Sequence, residues 1–292
     1  MAKKTFAVST ELPPEAEIFF DLVDISSPFS ISRKRGTIEV TVYSSVSSED
    51  AFEKLSRVIK VLKRLAEMEN KKILADEKFE SRMSELNPEE YLTAYRKYLK
   101  PVLIHNSLLI VPSAADIKAE EIDFNARVVV LDSLLAFGTG AHPTTRMCLE
   151  YLAEADLKGK TIVDAGTCSG ILAIAAAKLG ARKVYALDVD SVAVAVASKN
   201  VRINAVEDVV EVLESGLNLL PELNADIVVA NLTSSIIVSN YAYFRKSQAK
   251  TVVVSGYLEK EKKVIESIFA ADFAREKEKT LSGWVLAEFK RG

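Results

Sequence analysis

The residues whose types and spacing suit chemistry lie in TIVDAGTCSG, residues 161–170, and in the segment that it opens. Ile162 and Val163 read as the end of a buried strand, and Asp164, Gly166 and Gly170 fall in the turn that follows. The run ILAIAAAKL then has the all-apolar look of a helix packed on a sheet, with Gly180 as its stop signal. Strand, glycine turn and helix start together make a ligand platform. The glycines let the backbone approach a ligand closely, and the helix start offers unpaired N–H groups. One strand further on, RKVYALDVD places Asp188 at a strand end, where a carboxylate accepts both hydroxyls of a ribose. Together these features point to a nucleoside without naming it.

The turn narrows the choice. Nicotinamide enzymes use G-x-G-x-x-G, whose second glycine faces a pyrophosphate, and here Cys168 occupies that place. An acidic residue two positions before the first glycine, as Asp164 is, fits S-adenosylmethionine better. Two further segments carry more information: LAFGTGAHPTTRMCLEYL upstream (135–152) and ADIVVANLTSS downstream (225–235), which ends a strand at Asn231. With the glycine turn between them, these segments resemble the PrmA family, the methyltransferases of large-subunit ribosomal protein eleven. The resemblance covers residues 131–256 well and the first hundred poorly. Two positions depart from the family pattern: Cys168 stands where glycine is usual, and Asn231-Leu232-Thr233 stands where Asn-Ile-Leu is usual.

The resemblance implies an S-adenosylmethionine-dependent enzyme that methylates amino groups of a basic protein, a lysine side chain or an N-terminal amine. Carried over by position, Thr145 contacts the cofactor, Phe137 covers the sulfonium, and Glu214 or Ser215 meets the adenine. Asp188 takes the ribose, while Gly166 and Gly170 form the close approach. Asp164 either braces the loop through backbone N–H groups or meets the methionine amine through water, and the residues leave both open. Asn231 is the catalytic candidate, its amide holding the nucleophilic amine against the methyl group, and it counts among the cofactor-binding candidates as well. His142 reads as a structural His-Pro in a glycine loop rather than a base. DNA amino-methyltransferases follow this asparagine or aspartate with two prolines and an aromatic residue. Leu232-Thr233-Ser234 lacks all three, which disfavours a flipped base as substrate.

Composition sets the outer limits. The net charge of −3 argues against a large nucleic-acid footprint. No apolar run approaches the ~20 residues that cross a bilayer, so no membrane partner is expected. Two cysteines form no disulfide framework and two distant histidines no metal centre, and the chain reads as cytoplasmic. The rival readings are methylation of another protein or a small amine, a nicotinamide-dependent oxidoreductase, and a cofactor-binding scaffold without turnover.

The elements that must position these residues follow from periodicity. Strands are expected to end near Asp164, Asp188, Glu214, Asn231 and Ser255, alternating with helices in a doubly wound α/β sheet. A hairpin, 274–280 and 284–290 across Ser282-Gly283, closes it, as the resemblance to class I methyltransferases implies. Residues 102–111 and 126–131 read as strands leading into this domain, 102–292. Residues 1–82 read as a small α+β module of ferredoxin-like βαββαβ order, with strands at 5–10, 29–33, 37–43 and 72–79. Its helices run through Val23 and along Phe52, Leu55, Val58, Ile59, Leu62 and Leu65. A linker helix is expected within 83–101, opening at Asn87-Pro88.

Overall fold

The computed structural model describes residues 5–12, 29–34, 37–44, 51–56, 58–60, 81–86, 101–112, 126–132 and 142–292. The chain divides into two compact units, Met1–Leu99 and Lys100–Gly292.

In the first unit, β1 (Thr5–Leu12), β2 (Phe29–Lys34), β3 (Thr37–Ser44) and β4 (Ser81–Leu86) form an antiparallel sheet in the order β2-β3-β1-β4. Alternation puts Val8, Thr10 and Leu12 on one face with Val40 and Val42, all buried. Helical backbone at 51–56 and 58–60 contributes Ala51, Leu55 and Val58 to the core. Two expectations need correction. Phe52 is 53% exposed, because the buried stripe runs 51, 55, 58 and leaves position 52 outside it. Residues 83–86, assigned to the linker ahead of its helix, belong to β4, which pairs with β1. As an edge strand β4 needs little apolar content, so SRMSEL gave no strand signal. The expected strand at 72–79 and the helices toward Val23 and over 87–99 lie outside the described residues.

In the second unit, β5 (Val102–Ile104), β6 (Leu108–Pro112) and β7 (Arg127–Leu131) make a small sheet in that order. The run 102–111, expected as one strand, is broken at His105-Asn106. Both residues have positive φ, 45° and 52°, and Ser107 N–H donates to the Ile104 carbonyl, the type I′ pattern that joins β5 to β6 as a hairpin.

The main sheet has seven strands: β8 (Thr161–Ala165), β9 (Lys183–Asp188), β10 (Val210–Glu214), β11 (Ile227–Asn231), β12 (Thr251–Leu258), β13 (Phe273–Leu281) and β14 (Trp284–Arg291). Their order is β10-β9-β8-β11-β12-β14-β13, parallel from β10 through β12, with β14 antiparallel to both of its neighbours. The chain direction of travel across the sheet reverses between β8 and β11, the place where open α/β sheets bind ligands. The hairpin β13–β14 turns through Ser282 and Gly283, both at positive φ. Strand β12 continues three residues past the expected end at Ser255, through a bulge at Gly256.

Helices α1 (Pro143–Glu154), α2 (Ile171–Lys178) and α3 (Ser191–Ile203) pack on one face of this sheet. Helices α4 (Ser234–Ser239), α5 (Tyr241–Lys246) and α6 (Lys262–Phe269) take the other. There Ile237, Phe244, Ile265 and Phe269 join Val163, Val228, Val252, Val254 and Phe289 in one core. Helix α2 lies against β8 and β9 and also meets β7, α1 and α3, which explains why its first six residues are all buried and mostly alanine or isoleucine. Leu179 caps it, and Gly180 follows at φ 103°, with Gly180 N–H to Ala177 and Ala181 N–H to Ala176, a full Schellman stop. Among the described residues no helix is long and apolar enough to cross a membrane.

Candidate functional site

Every described candidate residue sits at or just past the carboxyl ends of β8, β9, β10 and β11, or at the start of α1. Gly166 and Thr167 follow β8, and both of their N–H groups donate to the Leu187 carbonyl at 2.9 Å, folding the glycine turn over β9. Gly166 has φ 78° and Gly170 has φ 82°, a region that glycine enters without penalty. Space argues the same way. A Cβ on Gly166 would sit 2.5 Å from Leu232 Cδ2, and one on Gly170 would sit 3.3 Å from Ala197 of α3.

Asp164 is buried at the end of β8, its Oδ2 accepting from Thr167 Oγ1 at 2.6 Å and from Ala173 N–H at 3.1 Å. The bracing role left open by the sequence is thus present. Oδ1 has no hydrogen-bond partner although it is buried. Burial pushes this carboxyl up to about 6, against the bonds from Thr167 and Ala173, and nearby Asp188 pushes it further. A buried acceptor of this kind is costly until a donor reaches it.

Asp188 ends β9 with both carboxylate oxygens engaged on one side. Oδ2 accepts from Cys168 N–H at 2.9 Å and Oδ1 from Asp190 N–H at 3.0 Å. Each oxygen keeps a second lone pair for a ligand hydroxyl. Asp190 caps α3 by accepting from Val192 N–H, so capping and ligand duties fall on different carboxylates. Glu214 is the register partner of Asp188 and is exposed, while Ser215 N–H donates to the Asp188 carbonyl at 2.8 Å.

Asn231 ends β11 opposite Ser255. Its Nδ2 donates to Thr145 Oγ1 at 3.3 Å. Thr145, expected to contact the cofactor, is 1% exposed in the first turn of α1, and its hydroxyl serves Asn231. His142 is the N-cap of α1: its Nδ1 lies 2.8 Å from Thr144 Oγ1, and its ring meets Trp284 edge-on at 5.1 Å. That placement supports the structural reading. Phe137 lies outside the described residues.

Sequence reasoning missed three contributors. Gly256, at φ 95°, lets the bulge of β12 press on the Leu232 backbone, and any side chain there would collide with it. Leu232 itself roofs Gly166. Thr167 orients Asp164. Only Gly256 left a trace in the sequence, as a glycine inside an apolar strand.

Cys168 stands at φ 49°, a left-handed conformation that costs a non-glycine residue roughly 1–2 kcal/mol. Its bond to Asp188 comes from the backbone and survives any side-chain change. Cys168→Gly removes the strain and frees the unfolded chain by a comparable ~0.4–1 kcal/mol. Thermal denaturation is expected to show a stability between unchanged and roughly 1.5 kcal/mol higher, and affinity for S-adenosylhomocysteine by calorimetry is expected to stay within about twofold of the parent. Tenfold weaker binding in a folded variant would show that the thiol itself has a task.

A family model described as ribosomal protein L11 methyltransferase (PrmA) matches residues 26–292. Curated relatives of that name include proteins from Anoxybacillus flavithermus, 47% identical over 156 residues, and Alkaliphilus oremlandii, 45% identical over 154. Each match covers 53% of this chain and 49% or 48% of the relative, so the chain spans about half the length of the curated relatives it matches. The crystal structure of a ribosomal protein L11 methylase from Lactobacillus delbrueckii subsp. bulgaricus superposes with a TM-score of 0.59 at 28% identity. That match covers 65% of this chain and 98% of the other. The family model takes in the whole seven-stranded sheet together with the glycine turn, Asp188 and Asn231, and on that breadth the chain belongs to the ribosomal protein L11 methyltransferase (PrmA) family.

Proposed function

We propose that this protein is an S-adenosylmethionine-dependent protein N-methyltransferase whose substrate is a basic ribosomal protein, ribosomal protein L11 by family. The observation that carries the proposal is the convergence of Asp188, the glycine turn and Asn231 on one sheet edge, at the β8/β11 reversal. The site suits this cofactor in three respects: Asp188 keeps lone pairs for ribose hydroxyls, Gly166 and Gly170 give the turn its positive-φ shape with Leu232 and Ala197 packed against it, and buried Asp164 Oδ1 awaits a donor such as an amine or its bridging water. Cys168 suits it as well, since no pyrophosphate has to pass that position.

When bound, the cofactor supplies an electrophilic methyl group on a positive sulfur. The protein's task is alignment for in-line displacement. Asn231 donates Nδ2 to Thr145, which leaves its Oδ1 to accept a hydrogen from the incoming amine. A lysine amine, with an ordinary pKa of about 10.4, attacks only after losing its proton, and burial at the sheet edge favours the neutral form. No dedicated base is then required. Thr145 acts on this reading through Asn231, Glu214 or Ser215 borders the adenine, and Phe137 belongs to the segment covering the sulfonium. The first unit, whose sheet order suits a ferredoxin-like module, presents the substrate, and the setting is the cytoplasm.

Asp188→Ala tests the cofactor site. Loss of hydrogen bonds to a charged acceptor is worth roughly 1.5–3 kcal/mol, so affinity for S-adenosylhomocysteine should fall about 10- to 150-fold. Calorimetry on a folded variant with parental affinity would remove Asp188 from the site. Mass spectrometry of a large-subunit ribosomal protein incubated with enzyme and cofactor tests the reaction, with mass increments of whole methyl groups on amines expected. A parent protein that binds a nicotinamide dinucleotide and not S-adenosylhomocysteine would overturn the proposal.

A further inference from the structure

Asn200 is fully buried in α3, on the stripe that also carries Ala193, Ala197 and Val201. A buried side-chain amide is costly unless its groups are met. Here they are met by two segments distant in the chain. Nδ2 donates to the Ser169 carbonyl in the glycine turn at 2.8 Å, and Oδ1 accepts Asp132 N–H at 2.8 Å. Asp132 directly follows β7, at the entrance to the segment that carries Phe137 and leads to Thr145. Lys199, the preceding residue, pairs with the Asp132 carboxylate. Ala197, one turn earlier, is the residue against which Gly170 packs. Helix α3 therefore backs the glycine turn at two successive turns and holds the exit of β7 at the second.

Asn204, four residues on, offers an internal comparison. Its Oδ1 accepts Val130 N–H at 2.9 Å, and its Nδ2 donates to the Val130 carbonyl at 2.6 Å and the Asn200 carbonyl at 2.8 Å. It fastens β7 to α3 and makes no bond to the glycine turn. The two asparagines share a helix face and divide the work.

We infer that Asn200 is a positioning residue for the cofactor site, holding the glycine turn at Ser169 against the end of β7 at Asp132 by one hydrogen bond to each. The inference rests on the cofactor reading above. Of the two segments it joins, one carries Gly166 and Gly170 and the other is the end of β7. An apolar residue at this position would fill the same space, but would remove the hydrogen bonds to the Ser169 carbonyl and the Asp132 N–H.

The experiment uses the full chain. Asn200→Asp keeps the size and the acceptor for Asp132 N–H and, at a pH high enough to ionise the buried carboxyl, sets a carboxylate oxygen against the Ser169 carbonyl, so the arm to the glycine turn breaks. Asn204→Ala removes the β7 clamp and leaves that arm intact. For Asn200→Asp, KM for S-adenosylmethionine and Kd for S-adenosylhomocysteine should rise about tenfold, with kcat at saturating cofactor within about twofold of the parent. Asn204→Ala should lower the melting temperature without raising either constant by more than about twofold. A merely structural asparagine reduces the active fraction and leaves KM alone. Equal KM effects in the two variants, or a folded Asn200→Asp with parental KM and Kd, overturns the inference. Should Asn200→Asp fail to fold, hydrogen exchange on the parent decides: S-adenosylhomocysteine should slow exchange at the Asp132 amide together with the glycine turn, and protection of the turn alone overturns it. A parent that binds no S-adenosylhomocysteine overturns the cofactor reading and this inference together. A parent that binds it, with an unresponsive Asn200, overturns this inference alone.

Discussion

Asn231→Ala is expected to lower kcat by about 10²–10³-fold while leaving affinity for S-adenosylhomocysteine within about twofold, the pattern for a group that acts mainly on the transition state. The reason is local. The Asn231 side chain reaches Thr145, not the glycine turn or Asp188, so its loss leaves the bonds from Cys168 N–H and Asp190 N–H to the Asp188 carboxylate standing. The backbone at this edge is also held independently of the side chain, by Leu232 N–H on the Ser255 carbonyl and by the close approach of Gly256. An alanine should therefore fold and bind, and fail to orient the amine. Thr145→Val, which removes the hydroxyl and keeps the shape, should produce a smaller loss in the same parameter, because Asn231 keeps its place and loses only its orienting partner. Rapid-quench measurement of the first turnover separates this step from product release. Parental turnover by the alanine variant on ribosomal protein substrate would strike Asn231 from the mechanism.

The main sheet was legible because its central strands β8 and β11 are buried on both faces and its parallel strands end in or beside chemically marked residues. Continuous runs such as TIVDA, KVYALD and IVVAN stop at Asp, Asp and Asn, and four of the five expected strand ends coincide with the structure within a residue. The fifth, Ser255, failed because Gly256 looks like a terminator locally, yet at φ 95° it makes a bulge that the strand passes through. His105-Asn106 failed for the opposite reason: a type I′ turn made without glycine leaves little trace in an apolar run. The edge strand β4 was missed because SRMSEL carries too little apolar content to signal a strand. In the site, Asp188 and the glycines carry a local pattern, whereas the bond between Thr145 and Asn231 was not legible, because the two lie 86 residues apart. Asn200 was invisible for the same reason, since neither Ser169 nor Asp132 is near it in sequence.

A fragment beginning at Lys100 is expected to remain soluble, to bind S-adenosylhomocysteine within about twofold of the full chain, and to lose methylation of the protein substrate by at least about 10²-fold, the scale on which substrate-positioning contacts act. The boundary falls between the two compact units. Every residue assigned here to the cofactor or the amine lies in the second unit, and the bonds that hold them, from Asp188–Cys168 to Asn231–Thr145, stay within it. The first unit has a separate core built on Val8, Leu12, Val40, Val42, Leu55 and Val58, and so has the means to fold for a purpose of its own. It also exposes Phe52 and Met83, large apolar side chains of the kind that seat protein partners. A small amine offered in place of the protein should be methylated equally poorly by fragment and full chain, because such a substrate has no use for a presenting surface. If the fragment aggregates or loses the cofactor, the first unit covers an apolar face of the second and its role is structural. If the fragment methylates the ribosomal protein as well as the full chain, recognition resides on the catalytic unit and the division of labour proposed here is wrong.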